Sequence, residues 1–313
     1  MTSASAFAPA SVSNVACGFD ILGFAVEGPG DLVTATAVDR PGVTIESIDG
    51  DDGRLPKEPA LNTAGIAAQA VLEQVREKAP GVTLHIDKQM PLSSGLGSSA
   101  ASAVAAAVAT NAALEGGLTQ EEIFLCALKG ETFASGTVHG DNVAPSFYGR
   151  LVLVRSTEPP DIIRLPVPKG LSCAVLRPRI EVRTPESRAL LGEAIALPSA
   201  VRQWANVAGL IAALYREDFD LLERSLVDVI AEPVRGPGIP GFFEVKEAAL
   251  ESGALGCSLS GSGPAIFALC RTPEEAEVTA RAMQESFQLH VGIDSQTFTT
   301  PVGAEGARII PSA

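Results

Sequence analysis

PLSSGLGSSAAS, running from Pro91 to Ser102, is the stretch on which the reading of this chain turns. Gly95 and Gly97 let the backbone turn at positive φ and lie close to a ligand. Directly behind them, Ala100 to Leu114 is almost purely small and apolar, the pattern of a helix buried all round. A helix that starts at such a loop presents unpaired N–H groups and a partial positive charge, which suits phosphate. Two familiar nucleotide loops are absent. There is no GxxxxGK followed by Ser or Thr, and no GxGxxG on a first strand with an acidic ribose ligand after it. On these residues alone, a glycine turn that merely lets a helix pack closely is the competing reading.

Outward from that loop, Val82 to Ile86 alternates as a strand, and Asn62 to Lys78 carries apolar residues at helical spacing. Leu32 to Ala37 and Gly42 to Ile48 read as strands, with the acidic stretch Asp49 to Pro59 as a surface loop. Thr119 and Glu122 form a capping box for a helix to about Ser135. Leu151 to Val154 and Ser172 to Leu176 are strand candidates on either side of a proline-rich loop, Ser156 to Gly170, which sets a domain boundary at residues 155/156. The second half reads as helices over Ala189 to Leu197, Ser199 to Arg216, Asp220 to Ile230 and Phe242 to Ser252. Strands Gly256 to Leu259 and Ala265 to Cys270, a helix Pro273 to Phe287 and a late strand follow. This order predicts an α+β fold, an antiparallel sheet covered by helices.

Composition sets the outer bounds. Of 313 residues, 46% are hydrophobic and 19% charged, which suits a packed α/β protein and not a disordered chain. Lys and Arg number 23 against 37 Asp and Glu, a net charge of −14. Such a chain repels nucleic acid and anionic lipid, so neither is an expected partner. Any anionic ligand must be held by local positive groups. The five cysteines are scattered without a CxxC pair, which favours free thiols and a cytoplasmic location. The first residues lack a signal-peptide pattern, and the apolar run from Ala100 is too short to span a bilayer.

A second glycine loop, SLSGSGP (Ser258 to Pro264), stands between two apolar strands and is by itself a common hairpin. Taken in order with PLSSGLGSSAA, and with PASVSNVACGFDILGFA at Pro9 to Ala25, it resembles the GHMP kinase superfamily. Together these motifs span nearly the whole chain. In the first of them the family usually reads NLGPGFD; here Ala16 stands for a glycine and Cys17 for a proline, while Asn14 and Asp20 are kept. HGDNVAPSFYGR (His139 to Arg150), EVRTPESR (Glu181 to Arg188) and IAEPVRGPGIPG (Ile230 to Gly241) resemble the family's homoserine-phosphorylating branch.

The resemblance implies two domains. Residues 1–155 would be an ATP-binding domain like ribosomal protein S5 domain 2, and 156–313 a ferredoxin-like substrate-side domain. It implies ATP and Mg²⁺, with transfer to the hydroxyl of homoserine in threonine biosynthesis. Pro91, Ser94, Gly95, Leu96, Gly97, Ser98, Ser99, Ala100 and Ala101 would hold the phosphates, with Asn62, Thr63 and Lys88 near the nucleotide. Ser99 and Glu131 resemble the family's metal-binding pair. Asn14, Asp20, His139, Asn142, Thr184, Arg188 and Arg235 would surround the substrate. The two arginines suit its carboxylate, because a guanidinium binds one bidentately. Asp20 suits its ammonium or hydroxyl. Asp20 and Asp141 are candidates for a base, and a base-free transfer is equally open. Homodimers occur in the family, and one is admitted here. The rival readings are a shikimate- or mevalonate-type kinase of the same superfamily and an inactive nucleotide-binding sensor.

Overall fold

A computed structural model describes residues 2–75, 81–182, 184–192 and 194–311. In chain order the first half contains β1 (Ser3–Ser13), β2 (Leu22–Val38), β3 (Gly42–Asp49), α1 (Thr63–Gln74) and β4 (Gly81–Lys88). α2 (Ser98–Ala113), α3 (Gln120–Ser135), α4 (Val143–Tyr148), β5 (Leu151–Thr157) and β6 (Pro160–Leu165) follow. These strands form one sheet along β1-β2-β4-β3, with the hairpin β5-β6 joined to β2. Among the described residues only β3 and β4 pair in parallel, as strands joined through a crossover helix do. α2, whose faces are nearly all Ala, Val and Ser, is buried along most of its length and packs between the sheet and helices α1 and α3. Small side chains are what allow it to touch all of them.

The second half contains β7 (Ser172–Pro178), α5 (Thr184–Ala189), α6 (Leu197–Arg216), α7 (Phe219–Ser225), α8 (Glu232–Arg235) and α9 (Phe242–Glu251). It ends with β8 (Gly256–Leu259), β9 (Ile266–Cys270), α10 (Pro273–His290), β10 (Ser295–Pro301) and β11 (Arg308–Ile310). Its four-stranded sheet has the order β10-β7-β9-β8, antiparallel throughout, while β11 returns to pair with β1. Alternation along β7 and β9 divides their residues between two cores. Ala174, Leu176, Ile266 and Ala268 face Phe242, Met283 and Phe287 of α9 and α10. Val175, Phe267 and Leu269 face the first sheet's core instead. Phe267 meets Phe24 of β2 edge to face at 6.4 Å, so the second sheet is buried on both faces and is tied to the first.

Several sequence expectations differ from this fold. The proline-rich stretch is not one loop, because Pro160–Leu165 forms β6, with Pro160 at the strand's first position, where proline is tolerated. The expected boundary at 155/156 therefore falls inside β5, and the change of sheet lies between Leu165 and Ser172. The expected helix Ala189 to Leu197 is displaced: α5 ends at Ala189, and α6 begins at Leu197 with a proline in its first turn. The helix expected to reach Ile230 ends at Ser225, since the Asp228 carboxylate takes the N–H groups of Ile230, Ala231 and Glu232 and turns the chain. The last four residues expected in the first helix reach into 76–78, outside the described residues. β1 has no counterpart among the expected elements; its alternation of Ala and Ser is too small-sided to announce a strand. The Thr119–Glu122 capping box forms in both directions, at 2.8 and 3.2 Å, and is worth about 1 kcal/mol.

Candidate active site

The two glycine loops dock onto each other. Ser260 Oγ donates to the Gly95 carbonyl at 2.6 Å, and Ala265 N donates to the Ser94 carbonyl at 3.2 Å. Gly97, at φ +67°, closes the turn into α2; a Cβ there would press on the side chains of Ser11 and Asn142. The first turn of α2 thus points its free N–H groups into a cavity of about 460 Å³ that lies between the two halves of the chain.

Glu131 reaches the same cavity from α3. Its neighbour Gly130 lets that helix run against the start of α1, where a Cβ would strike the Thr63 carbonyl. Glu131 is 5% exposed, and its Oε2 has no partner among the described residues. Burial pushes its carboxyl up to about 7, partly opposed by the Ser99 hydroxyl and by His139. Ser99 and Glu131 together offer hard oxygen donors with one atom unsatisfied, which fits Mg²⁺.

The first motif also lines the cavity, and the strand that carries it is tied to the phosphate loop where Ser11 N donates to the Leu96 carbonyl at 3.0 Å. Asn14, Val15 and Ala16 take consecutive left-handed conformations, at φ 68°, 44° and 59°, and Asp20 follows at 62°. Left-handed backbone costs an L-residue about 1–2 kcal/mol, so partners must hold this turn. Asn14 Oδ1 accepts from Asp20 N at 3.1 Å, Asn14 Nδ2 donates to the Gly261 carbonyl at 3.2 Å, and Gln203 Nε2 donates to the Cys17 carbonyl at 2.8 Å. Ala16 is the residue that stands where the family pattern has glycine. Ala16→Gly is therefore expected to raise unfolding stability by about 0.5–1 kcal/mol in a urea melt, relief of strain exceeding the added freedom of the unfolded chain. No gain would mean the turn carries no strain there.

Against this turn lie two arginines. Arg188 of α5 binds Asp20 Oδ2 at 2.5 Å, and Arg235 of α8 donates to the Gly261 carbonyl at 3.0 Å. Both guanidinium groups stand over the ring of Phe19, at 5.4 and 5.1 Å from its centroid. Arg235 is 6% exposed; burial lowers its pKa, Asp20 raises it, and Arg188 lowers it further. His139 Nδ1 pairs with Asp141 Oδ1 at 3.0 Å, and its Nε2 is buried without a partner among the described residues. Burial works against the imidazolium, but Asp141, Asp20 and Glu131 outweigh it and hold His139 above the ordinary histidine value. Asn142 Oδ1 accepts from Ser11 Oγ at 2.9 Å, which leaves its amide N–H groups to donate into the cavity.

The structure brings Asn14, Asp20, His139, Asn142, Thr184, Arg188 and Arg235 into the lining of one cavity together with Ser94, Gly95, Gly97, Ser98, Ser99 and Glu131. Pro91, Leu96, Ala100 and Ala101 do not border the cavity: Pro91 is exposed, and the other three are packed into the core. Thr63 lines it, and so does Asn62, although Asn62 caps α1, with Oδ1 accepting from Ala64 N and Nδ2 donating to the Pro56 carbonyl. Lys88 lines it too, with its ammonium engaged by Asp31, Ser98 and Ser102. Sequence reasoning passed over Phe19, Asp31, Ser102 and Gly261. Phe19, Ser102 and Gly261 lie inside motifs quoted above, whereas Asp31 lies in none.

The family models for the GHMP kinases N terminal domain and the GHMP kinases C terminal match residues 62–150 and 210–289. The chain belongs to the GHMP kinase family. Within that family its similarity runs end to end. It is 46% identical to the homoserine kinase of Chloroherpeton thalassium, covering 99% of this chain and 100% of the relative. It is 48% identical, with the same coverage, to that of Chlorobium phaeovibrioides. Among solved structures it is similar to homoserine kinase from Cytophaga hutchinsonii, with a TM-score of 0.94, 47% identity, and 99% and 98% of the two chains covered. A GHMP kinase fold and the use of ATP follow from membership. No helix among the described residues is long and apolar enough to cross a membrane.

Proposed function

We propose that this chain transfers the γ-phosphoryl group of ATP to the side-chain hydroxyl of homoserine, in threonine biosynthesis. The observation that carries this reading is the Arg188–Asp20 pair beside Arg235, in the same cavity as the phosphate loop. That pair is the complement of a zwitterion: the substrate carboxylate replaces Asp20 on Arg188, with Arg235 beside it, and the ammonium takes Asp20. Mevalonate and shikimate have no ammonium for it. The naming of full-length relatives as homoserine kinases supports the same reading.

In this account the α2 N–H groups and the loop serines hold the phosphates, and apolar Leu61 and Phe133 flank the nucleotide base. Asn142 donates to the substrate hydroxyl and aims its lone pair. The hydroxyl oxygen bonds to the γ-phosphorus as the bond to the bridging oxygen breaks, ADP leaves, and the hydroxyl proton passes to an oxygen of the transferred group. Such a transfer is mostly positioning and charge neutralisation. We assign Asp20 to positioning and not to a base, because in this reading its carboxylate is taken by the substrate ammonium. Ser99 and Glu131 would hold Mg²⁺, which neutralises phosphate charge when bound. Free thiols support a cytoplasmic place, since all five cysteines are buried and unpaired. Exposed Leu197, Trp204 and Tyr215 on α6 support a homodimer.

ADP release with Mg²⁺-ATP and homoserine, mevalonate, shikimate, galactose or no acceptor tests the reading. Turnover is expected with homoserine alone. Turnover with another alcohol instead would overturn the substrate, and ATP binding without turnover on any acceptor would favour an inactive sensor.

A pH dependence follows from Glu131. With its carboxyl near 7 in the metal-free protein, Mg²⁺ must displace a proton at lower pH. The Mg²⁺ concentration for half-maximal rate is expected to rise up to about tenfold per pH unit below about 7 and to level off above about 8. A flat profile over that range would remove Glu131 from the metal site.

A further inference from the structure

Lys88 ends β4 on the cavity wall, yet its ammonium is turned away from the open space and fully engaged. It stands directly across from Asp31 in the β2–β4 ladder, and the two side chains form an ion pair that is 2% and 0% exposed. The same nitrogen donates to Ser98 Oγ at 2.6 Å, to Ser102 Oγ at 2.7 Å and, more weakly, to the Ser98 carbonyl at 3.0 Å. Ser102 Oγ donates onward to Asp31 Oδ2 at 2.7 Å.

The direction of these bonds is forced. An ammonium has three donors and no acceptor, so every oxygen that touches it accepts. Ser102 is left with a proton that goes to Asp31. Ser98 is also left with a proton, and this residue, the first of α2, lines the cavity. The network itself offers that proton no acceptor. As a stabilising device the pair is a poor one: desolvation offsets most of its attraction, and Asp31 Oδ1 has no partner among the described residues. What it does accomplish is to pin the first turn of α2 to the sheet and fix one hydroxyl as a donor.

We propose that Lys88 and Asp31 are positioning residues for nucleotide binding, locking the Ser98 hydroxyl as a donor to a phosphate oxygen without Lys88 itself touching the nucleotide. This rests on the reading of residues 91–101 as the phosphate loop.

The test is a cycle of ATP affinities by calorimetry, with KM for both substrates and melting temperature, on Lys88→Met, Ser98→Ala and the two combined. Each single change is expected to weaken ATP binding about tenfold, and the combination to be no weaker than either alone, because both remove the same bond. The KM for homoserine should move less than about twofold. A chain carrying both Asp31→Asn and Lys88→Met leaves no buried charge in this network. It is expected to recover the melting temperature but not the ATP affinity, and it serves the same comparison should Lys88→Met alone fail to fold. Effects of Lys88→Met and Ser98→Ala that multiply, or ATP affinity that returns together with stability, would overturn the proposal. Gly97→Val, which crowds the loop, separates this from the site reading. If it abolishes ATP binding while the cycle is additive, only the positioning role fails; if it binds ATP normally, the loop reading fails and this inference with it.

Discussion

Glu131→Gln is expected to lower turnover about a hundred- to a thousandfold, the scale on which a transition-state charge partner is lost. The Mg²⁺ concentration for half-maximal rate should rise alongside it, and its pH dependence should vanish, since the amide does not titrate. Stability should move the other way. A carboxyl held near 7 by burial is disfavoured as an anion inside the fold. Its folded-state value lies above the unfolded one, so its contribution is present at low pH and is lost as pH rises through about 7. Above that pH the neutral amide is the easier group to bury, and the melting temperature should hold or rise. Loss of activity without loss of stability marks a functional carboxylate. An unchanged Mg²⁺ requirement would contradict the assignment.

Arg235→Ala is expected to raise the KM for homoserine about 10- to 100-fold, equivalent to losing charge-assisted bonds worth roughly 1.5–3 kcal/mol. The KM for ATP should change less than about twofold, because the partner assigned to Arg235 is the homoserine carboxylate and not a phosphate. Arg235→Lys should recover little: a point charge reproduces neither the bidentate fork nor the stacking on Phe19. Equal increases for both substrates would show that Arg235 supports the cavity as a whole and does not serve the carboxylate.

Much of this site was legible because its chemistry is local in sequence. The glycines of residues 91–101, the HGDN run and the small-residue helix behind the loop each declare a backbone requirement within a dozen residues. What could not be read depends on pairing across the chain. Lys88 looked like a strand-end lysine near a nucleotide, and only the β2–β4 register shows that Asp31 lies opposite and occupies it. Asn62 carried a motif position, but its side chain is spent on capping α1. Phe19 sat inside a quoted motif and still gave no sign that two arginines, 169 and 216 residues further on, would meet over its ring. The fold shows the same division. Helices with clear caps were found to within a few residues, whereas β6 hid behind two prolines, and β1 hid in a run of Ala and Ser that gains meaning only beside β2.

The most direct measurement is the identity of the product formed from homoserine and Mg²⁺-ATP, read by phosphorus–proton correlation in NMR. The account predicts one new phosphate monoester, coupled to the side-chain CH₂ that carried the hydroxyl, appearing in step with ADP. Inorganic phosphate in place of that ester, or phosphate on any other substrate atom, would contradict it.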